Sequence, residues 1–357
     1  MYEFLLKMVN NFNIPQIFLD IVWPVFPFIA IAALMVVVVI FLVLLERKLL
    51  AHFTIRKGPN RVGPYGYFQT IADAIKLLCK EDIMNEKSNK ILFSIAPVIF
   101  FAPVMVIYGL VPFGEHLIAI NIAAGVFAIL AVSSVSSIGL ILAGWSSNNK
   151  YSLLGGLRSA AQAISYEIPL VISVLSIVVL AGSMNLQDII HAQRGCLGPL
   201  NWFIFPSFIG FIIFFICTLA EINRIPFDLP EAESELVSGY NTEYSGMKFA
   251  LFFLAEYAEL FILSVLTIVL FFGGYASPLG VYVSKLFFAD NIFILYAEQL
   301  FWLMLKSYLL IFFIIWVRAT LPRLRADQLS AFAWKFLLPI SIINLFIVSI
   351  YSYFIKG

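Results

Sequence analysis

Charged side chains are scarce in this sequence. Only 12% of the 357 residues are Asp, Glu, Lys or Arg, whereas 62% are hydrophobic. Soluble domains carry about twice that share of charge, roughly 25%. The composition therefore excludes an ordinary soluble protein and indicates a chain that lies in a membrane.

Cysteine and histidine are scarce as well, with three of each. Cys79, Cys196 and Cys217 show no CxxC or other metal-ligand spacing, so we expect no iron–sulfur cluster or zinc site within this chain. The histidines fall in or near predicted loops, away from the membrane spans that would hold a haem. We therefore predict that the chain binds no metal and has no redox centre of its own.

Apolar stretches long enough to cross a bilayer, which requires about 20 residues, occur eight times. They cover roughly 23–45, 92–112, 122–143, 160–181, 203–220, 249–272, 299–317 and 335–354. The first lacks the basic start of a signal peptide and ends in Glu46-Arg47-Lys48 rather than in small residues. The predicted fold is an all-α polytopic membrane protein with eight transmembrane helices, forming a single membrane domain over residues 1–357.

The distribution of basic residues predicts the orientation. Seventeen of the 22 lysines and arginines lie in the four loops that follow odd-numbered spans, and four lie on the opposite side. Because loops rich in Lys and Arg stay inside, we predict that these four loops face the inner compartment and that both termini lie outside.

The first inner loop, 46–91, contains a second kind of helix signal. Residues 66–82 place apolar side chains at helical spacing, opposite Asp73. The apolar face comprises Phe68, Ile71, Ala72, Ile75, Leu78 and Cys79. This pattern predicts an amphipathic helix in the interfacial plane, which either docks on the protein or shapes an entrance from the lipid. Before it, the glycines and prolines of RKGPNRVGPYG (56–66) predict a rigid turn.

The inner loop 221–248 concentrates negative charge. Its opening stretch, EINRIPFDLPEAESELVSGYNTEYSG (221–246), contains six carboxylates and one cation, Arg224. The carboxylates are Glu221, Asp228, Glu231, Glu233, Glu235 and Glu243. Capping of a short helix accounts for Asp228, Glu231 and Glu233. The other three are not explained by local structure.

Ionisable residues also occur inside the predicted spans. A carboxylate at that depth costs about 2.5–3.5 kcal/mol, so we interpret Glu167 and Glu256 as functional groups. Glu259 lies one turn after Glu256 on the same side, where it either shares that role or leans on a neighbouring subunit. Lys306 lies in the seventh span, and its long stem can reach the outer face.

Five long motifs resemble the ND1-type membrane subunit of respiratory complex I, also known as its H subunit. They are ERKLLAHFTIRKGPNRVGPYG (46–66), ADAIKLLCKED (72–82), GWSSNNKYSLLGGLRSAAQAISYE (144–167), the acidic stretch 221–246, and WVRATLPRLRADQL (316–329). The likeness covers essentially the whole chain. It implies a core membrane subunit of the proton-pumping NADH:quinone oxidoreductase, with eight helices and both ends outside.

The resemblance also implies a quinone site and a proton route. The first and sixth spans and the 66–82 helix, with Phe68, would frame the opening through which ubiquinone or another quinone enters from the lipid. The quinone tunnel would be lined or supported by Arg47, Arg56, Arg224, Arg318 and Arg323. The acidic route to the pumping subunits would comprise Glu46, Asp73, Glu167, Glu221, Glu231, Glu233, Glu235, Glu243 and Glu256. Some members of the family carry an acid in the third span, whereas SVSS (134–137) offers serines, so hydroxyls or water must bridge there.

Partners and location follow from the same resemblance. NADH, FMN and the iron–sulfur clusters would belong to partner subunits only. The soluble quinone-module subunits would bind the inner side, and small and antiporter-like membrane subunits would bind laterally, without any nucleic-acid partner. The membrane would be the mitochondrial inner membrane or the bacterial plasma membrane.

Three other classes of protein stay open. A membrane-bound hydrogenase or a ferredoxin-linked oxidoreductase would share the acids but not the full 46–66 motif. A secondary transporter also holds acids at mid-membrane, but it is expected to show discontinuous helices in paired halves, and the sequence has no internal repeat. A purely structural anchor leaves the buried acids unexplained.

Overall fold

The computed structural model describes residues 16–194, 198–229, 237–278 and 292–356, and these residues form helices without a β-strand among them. The helices are α1 (Gln16–Phe53), α2 (Gln69–Cys79), α3 (Lys90–Leu110), α4 (Gly125–Ser146), α5 (Lys150–Ala181), α6 (Leu186–Ala192), α7 (Phe208–Glu221), α8 (Gly246–Phe271), α9 (Ile292–Thr320), α10 (Ala326–Phe332) and α11 (Leu338–Lys356). A π-helical turn, Ala333–Leu337, joins α10 to α11. The all-α prediction is confirmed.

Each of the eight predicted spans coincides with one helix. Seven helical segments of the described chain are long and apolar enough to cross a membrane. The fifth predicted span corresponds to α7, which has only 14 residues. At 1.5 Å per residue this helix is about 21 Å long, shorter than a hydrocarbon core of about 30 Å. The chain is thus a multi-pass membrane protein, and the count of eight spans and the outward termini stay predictions.

The prediction of an inner loop over 144–159 is wrong, because nearly all of this segment is helical. Only three residues separate α4 from α5, and the Asn149 side chain caps α5 by accepting a hydrogen bond from the Tyr151 N–H (3.0 Å). A Cβ atom at Gly155 would lie 2.8 Å from Gly239 Cα. One face of the first turns of α5 therefore packs closely on protein, whereas Leu153 and Leu157 on the other face are exposed.

Helix α8 occupies the centre of the bundle. It contacts α1, α2, α3, α7 and α9, and every residue from Ala255 to Phe271 is buried. Between Ala255 and Phe271 the helix therefore has no lipid-facing side. Glu256 and Glu259 consequently lie in the protein interior, and a position of Glu259 against a neighbouring subunit is excluded.

The predicted inner loops meet at one end of the bundle, here called the basic end. The Asn89 N–H donates to the Ser146 carbonyl (3.2 Å), and the Ser152 hydroxyl donates to the Tyr240 carbonyl (3.2 Å). These contacts tie the start of α3 to the end of α4, and the start of α5 to the loop before α8. The acidic loop is therefore joined to the bundle at this end.

Candidate functional site: a crevice and a buried acid cluster

An apolar crevice opens between α1, α2 and the first turns of α8. Its volume is about 900 Å³, and its walls include Val43, Leu78, Phe249 and Phe253. Small-molecule pockets typically measure about 300–1,000 Å³, so the crevice has room for a substantial apolar ligand.

Helix α2, which forms one wall, lies within the segment 66–82 for which an amphipathic helix was predicted, and its position in the interfacial plane stays a prediction. Most of the predicted apolar face is exposed, including Ile71 and Ile75, whereas Leu78 lines the crevice and Thr70 is buried. An apolar face turned outward suits contact with lipid or a partner chain. Phe68 is outside the crevice lining and packs on the loop before it, since a Cβ atom at Gly63 would lie 2.3 Å from its ring.

At the crevice, a predicted quinone-tunnel residue and a predicted proton-route residue form one ion pair. Arg47 Nη1 lies 2.5 Å from Asp73 Oδ2, and both side chains line the crevice. Gln69 Nε2 also donates to Asp73 (3.1 Å). The pair is about 40% exposed on the arginine side. It therefore places a polar contact at the edge of an otherwise apolar opening.

Glu46 joins two further predicted tunnel arginines into a buried ion cluster. Arg224 Nη1 lies 3.2 Å from Glu46 Oε1, and Arg318 contacts the same carboxylate. The Arg224 guanidinium also stacks over the Tyr257 ring (4.5 Å). The Glu46 side chain is only 4% exposed. The cluster holds the ends of α1, α7 and α9 together at the basic end.

The two remaining predicted arginines lie apart. Arg323 Nη2 pairs with Asp228 Oδ2 (3.2 Å), and Arg56 is exposed. The structure thus separates the five predicted tunnel arginines into three ion-paired groups and one exposed side chain. Of the five, only Arg47 lines the crevice.

Glu167 and Glu221, two members of the predicted acidic route, line one small cavity together with Glu259. The cavity lies among α3, α4, α5, α7 and α8, and four serines of α4 form one wall. Glu221 is close enough to interact electrostatically with both other carboxylates. Within the described chain, none of the three forms a hydrogen bond or an ion pair, and no group of carboxylates, cysteines and histidines is placed to hold a metal.

Other predicted acids have individual partners. Tyr240 donates its hydroxyl to Glu256 Oε1 (2.5 Å), and Asn149 Nδ2 donates to Glu243 Oε1 (2.7 Å). Both contacts link the segment before α8 to a transmembrane helix. Glu231, Glu233 and Glu235 lie outside the described residues.

Two side chains have surroundings that the sequence did not predict. Ser159 is buried on the wall of the acid cavity, and nothing in its local pattern marks it. Lys306 does not reach the outer face but donates to the carbonyls of Phe272, Gly274 and Ala276 (2.9, 3.0 and 2.7 Å). It therefore binds the carbonyl groups just beyond the C-terminal end of α8.

Comparison with known proteins decides the family. Residues 26–349 match the family described as NADH dehydrogenase. The chain belongs to this family. The H subunit of NADH-quinone oxidoreductase from Dehalococcoides mccartyi strain CBDB1 is 48% identical over 88% of this chain and 82% of its own length. The protein of the same name from Brevibacillus brevis strain 47 is 47% identical over 90% of this chain and 92% of its own length. The resemblance inferred from the five motifs is confirmed.

Proposed function

We propose that this chain is the core membrane subunit of a proton-pumping NADH:quinone oxidoreductase, in which it admits the quinone and couples its reduction to proton movement. The names of its relatives support the complex and the substrate class. Their bacterial sources support a location in a bacterial plasma membrane.

The crevice is the observation that carries the proposal. It is bounded by α1, α2 and α8, the helices expected to frame quinone entry, and its walls are apolar where an isoprenoid tail would lie. Arg47 and Asp73 sit at its edge, where donors and acceptors for a quinone head are needed. Arg56, Arg224, Arg318 and Arg323 would support the tunnel beyond this point, the last three through their ion pairs.

The acidic route would run from the basic end into the bundle. Glu243 and Glu256 connect the segment before α8 with α5 and α8, and Glu221 and Glu167 continue the route among α5, α7 and α8. Glu231, Glu233 and Glu235 would belong to the same route. Glu46 and Asp73 would take part through their arginine partners, by exchanging ion pairs.

The redox chemistry would belong to partner subunits that carry NADH, FMN and iron–sulfur clusters. Soluble partners would dock on the basic end, where the acidic loop lies. Small and antiporter-like membrane subunits would pack laterally, against helix surfaces that expose large apolar side chains. The contribution of this chain would be to position the quinone and to carry protons.

A substitution on α2 tests quinone entry. Ala74 lines the crevice, whereas Ala72 on the same helix is exposed outside it. Ala74→Trp should raise the apparent KM for a long-tailed quinone severalfold, because the indole occupies volume in the opening. Ala72→Trp is the matched control. NADH oxidation by ferricyanide should stay unchanged in both variants of the assembled complex, because that acceptor bypasses the quinone.

The outcome separates entry from assembly. Equal loss of quinone and ferricyanide reduction in Ala74→Trp would mean that the variant damages the complex as a whole. An unchanged quinone KM, with assembly shown on native gels, would contradict quinone entry through this crevice.

A further inference from the structure

The acid cavity has the dimensions and lining of a hydrated site. Its volume is about 30 Å³. A single water needs at least about 10–15 Å³ and two to four polar partners, so the cavity has room for about two waters. Serine hydroxyls and carboxylates provide those partners.

The carboxylates themselves require solvation. Glu259 is 6% exposed, and Glu167 and Glu221 are partly buried. In the described part of the chain no cation or donor satisfies any of the three. Burying an ionised carboxylate without a partner is strongly unfavourable, so these groups must bind protons or water. A proton relay needs groups that can do both.

The serine wall provides acceptors. Ser133, Ser134, Ser136 and Ser137 each donate their hydroxyl hydrogen to the carbonyl three residues earlier (2.9, 3.0, 2.7 and 2.8 Å). A serine oxygen that has used its hydrogen in this way still has lone pairs that accept from water. The four hydroxyls thus form a fixed row of acceptors along α4.

Ser159 gives independent evidence for a bound molecule. Its side chain is 2% exposed, lines the same cavity, and has no hydrogen-bond partner among the described residues. Buried hydroxyls in native structures almost always have a partner, which is often an ordered water. The orphan hydroxyl on α5 faces a cavity shared with the serines of α4 and with Glu259 on α8.

We propose that Glu259 and this serine-lined cavity form a hydrated proton-transfer segment between Glu221 and Glu167, in which Glu259 supplies from α8 the carboxylate that α4 lacks. The proposal rests on the proposed function. A proton leaves the Glu221 carboxyl for a water, which passes one of its own protons to the carboxylate of Glu259 or Glu167. The donor becomes a carboxylate and the acceptor a carboxylic acid, so charge and hydrogens balance.

Glu259→Gln is the first test, because glutamine keeps the volume and removes the titratable proton. In the assembled complex, quinone reduction and proton pumping should fall together by about tenfold or more, as when an acid–base group is lost. Ferricyanide reduction should stay normal. The double variant Glu259→Gln/Ser134→Glu should recover much of the lost activity, because Ser134 lines the same cavity and returns a carboxylate to it.

Ser159 provides a second test that does not depend on Glu259. Ser159→Val should displace water and lower turnover and pumping, whereas Ser159→Ala should have a smaller effect. Ser349→Val on α11 is the matched control, since the Ser349 hydroxyl bonds only the Leu345 carbonyl of its own helix (2.7 Å). High-resolution cryo-electron microscopy of the wild-type complex should show about two waters beside the Ser159 hydroxyl.

The results distinguish this proposal from the general function. Normal turnover and pumping in an assembled Glu259→Gln complex would overturn the role of Glu259. If that variant does not assemble, normal pumping by Ser159→Val would overturn the hydrated segment. Absence of quinone reduction in the wild-type complex, or a normal quinone KM in Ala74→Trp, would instead count against the proposed function.

Discussion

Removing the Glu46 carboxylate should destabilise the basic end. In the wild type, Arg224 and Arg318 both contact the carboxylate of Glu46, whose side chain is 4% exposed. In Glu46→Gln both arginines face a neutral amide instead. Removing one member of a buried ion cluster costs roughly 3–5 kcal/mol. Because the Arg318 side chain is 27% exposed and stays partly hydrated, we expect the lower end of that range, about 3 kcal/mol.

This free energy corresponds to a measurable shift in thermal stability. With an unfolding entropy of about 2.1 cal/mol/K per residue, the loss lowers the midpoint of a 357-residue chain by roughly 4 °C. The assay heats the purified complex in steps and measures the fraction that remains assembled on native gels.

The neighbouring residue provides the control. Arg47 pairs with Asp73, but the two side chains are 41% and 34% exposed. Pairs this exposed contribute about 0–1 kcal/mol, so Arg47→Ala should shift the midpoint by roughly 1 °C or less. A wild-type midpoint for Glu46→Gln would refute the stabilising role of the cluster.

Two further predictions concern single buried groups. The Glu167→Gln complex should assemble and bind quinone, yet lose most of its quinone turnover and proton pumping together. Glu86 is exposed, and Glu86→Gln should behave like wild type. A Glu167→Gln complex that pumps normally would remove that residue from the route. Lys306→Met leaves three carbonyls without their donor. Each carbonyl that stays unsatisfied destabilises the fold by about 1–3 kcal/mol. Amide hydrogen exchange over residues 268–278 should therefore accelerate. Unchanged exchange there would show that water replaces the ammonium group.

The sequence predicted the helical fold well, because long apolar runs have few alternatives in a bilayer. It failed where a membrane helix is polar. The first turns of α5 contain Lys150, Arg158 and two glycines, which resemble a loop in composition. They are helical because Asn149 caps them and because Gly155 allows close packing against Gly239. The contact between Gly155 and Gly239 joins residues 84 positions apart.

The residues of the candidate site were predictable from the sequence, but the ion pairs between them were not. Glu46, Arg224 and Arg318 were recognised as functional candidates, yet sequence alone could not show that they contact one another across 178 and 272 positions. The inward position of Glu259 was equally hidden, because α8 is apolar on all sides and its pattern has no polar face to orient it. Its spacing from Glu256 was the available signal. Ser159 had none.

Helix α8 extends from the crevice to the acid cavity. Its first turns form a wall of the crevice through Phe249 and Phe253, and Glu259 follows Phe253 by six residues, about 9 Å along the axis. Just beyond its far end, the chain is held by Lys306. The wall of the crevice and a carboxylate of the acid cavity therefore lie on one uninterrupted helix, so a displacement of that wall would reach the cavity without a loop between them.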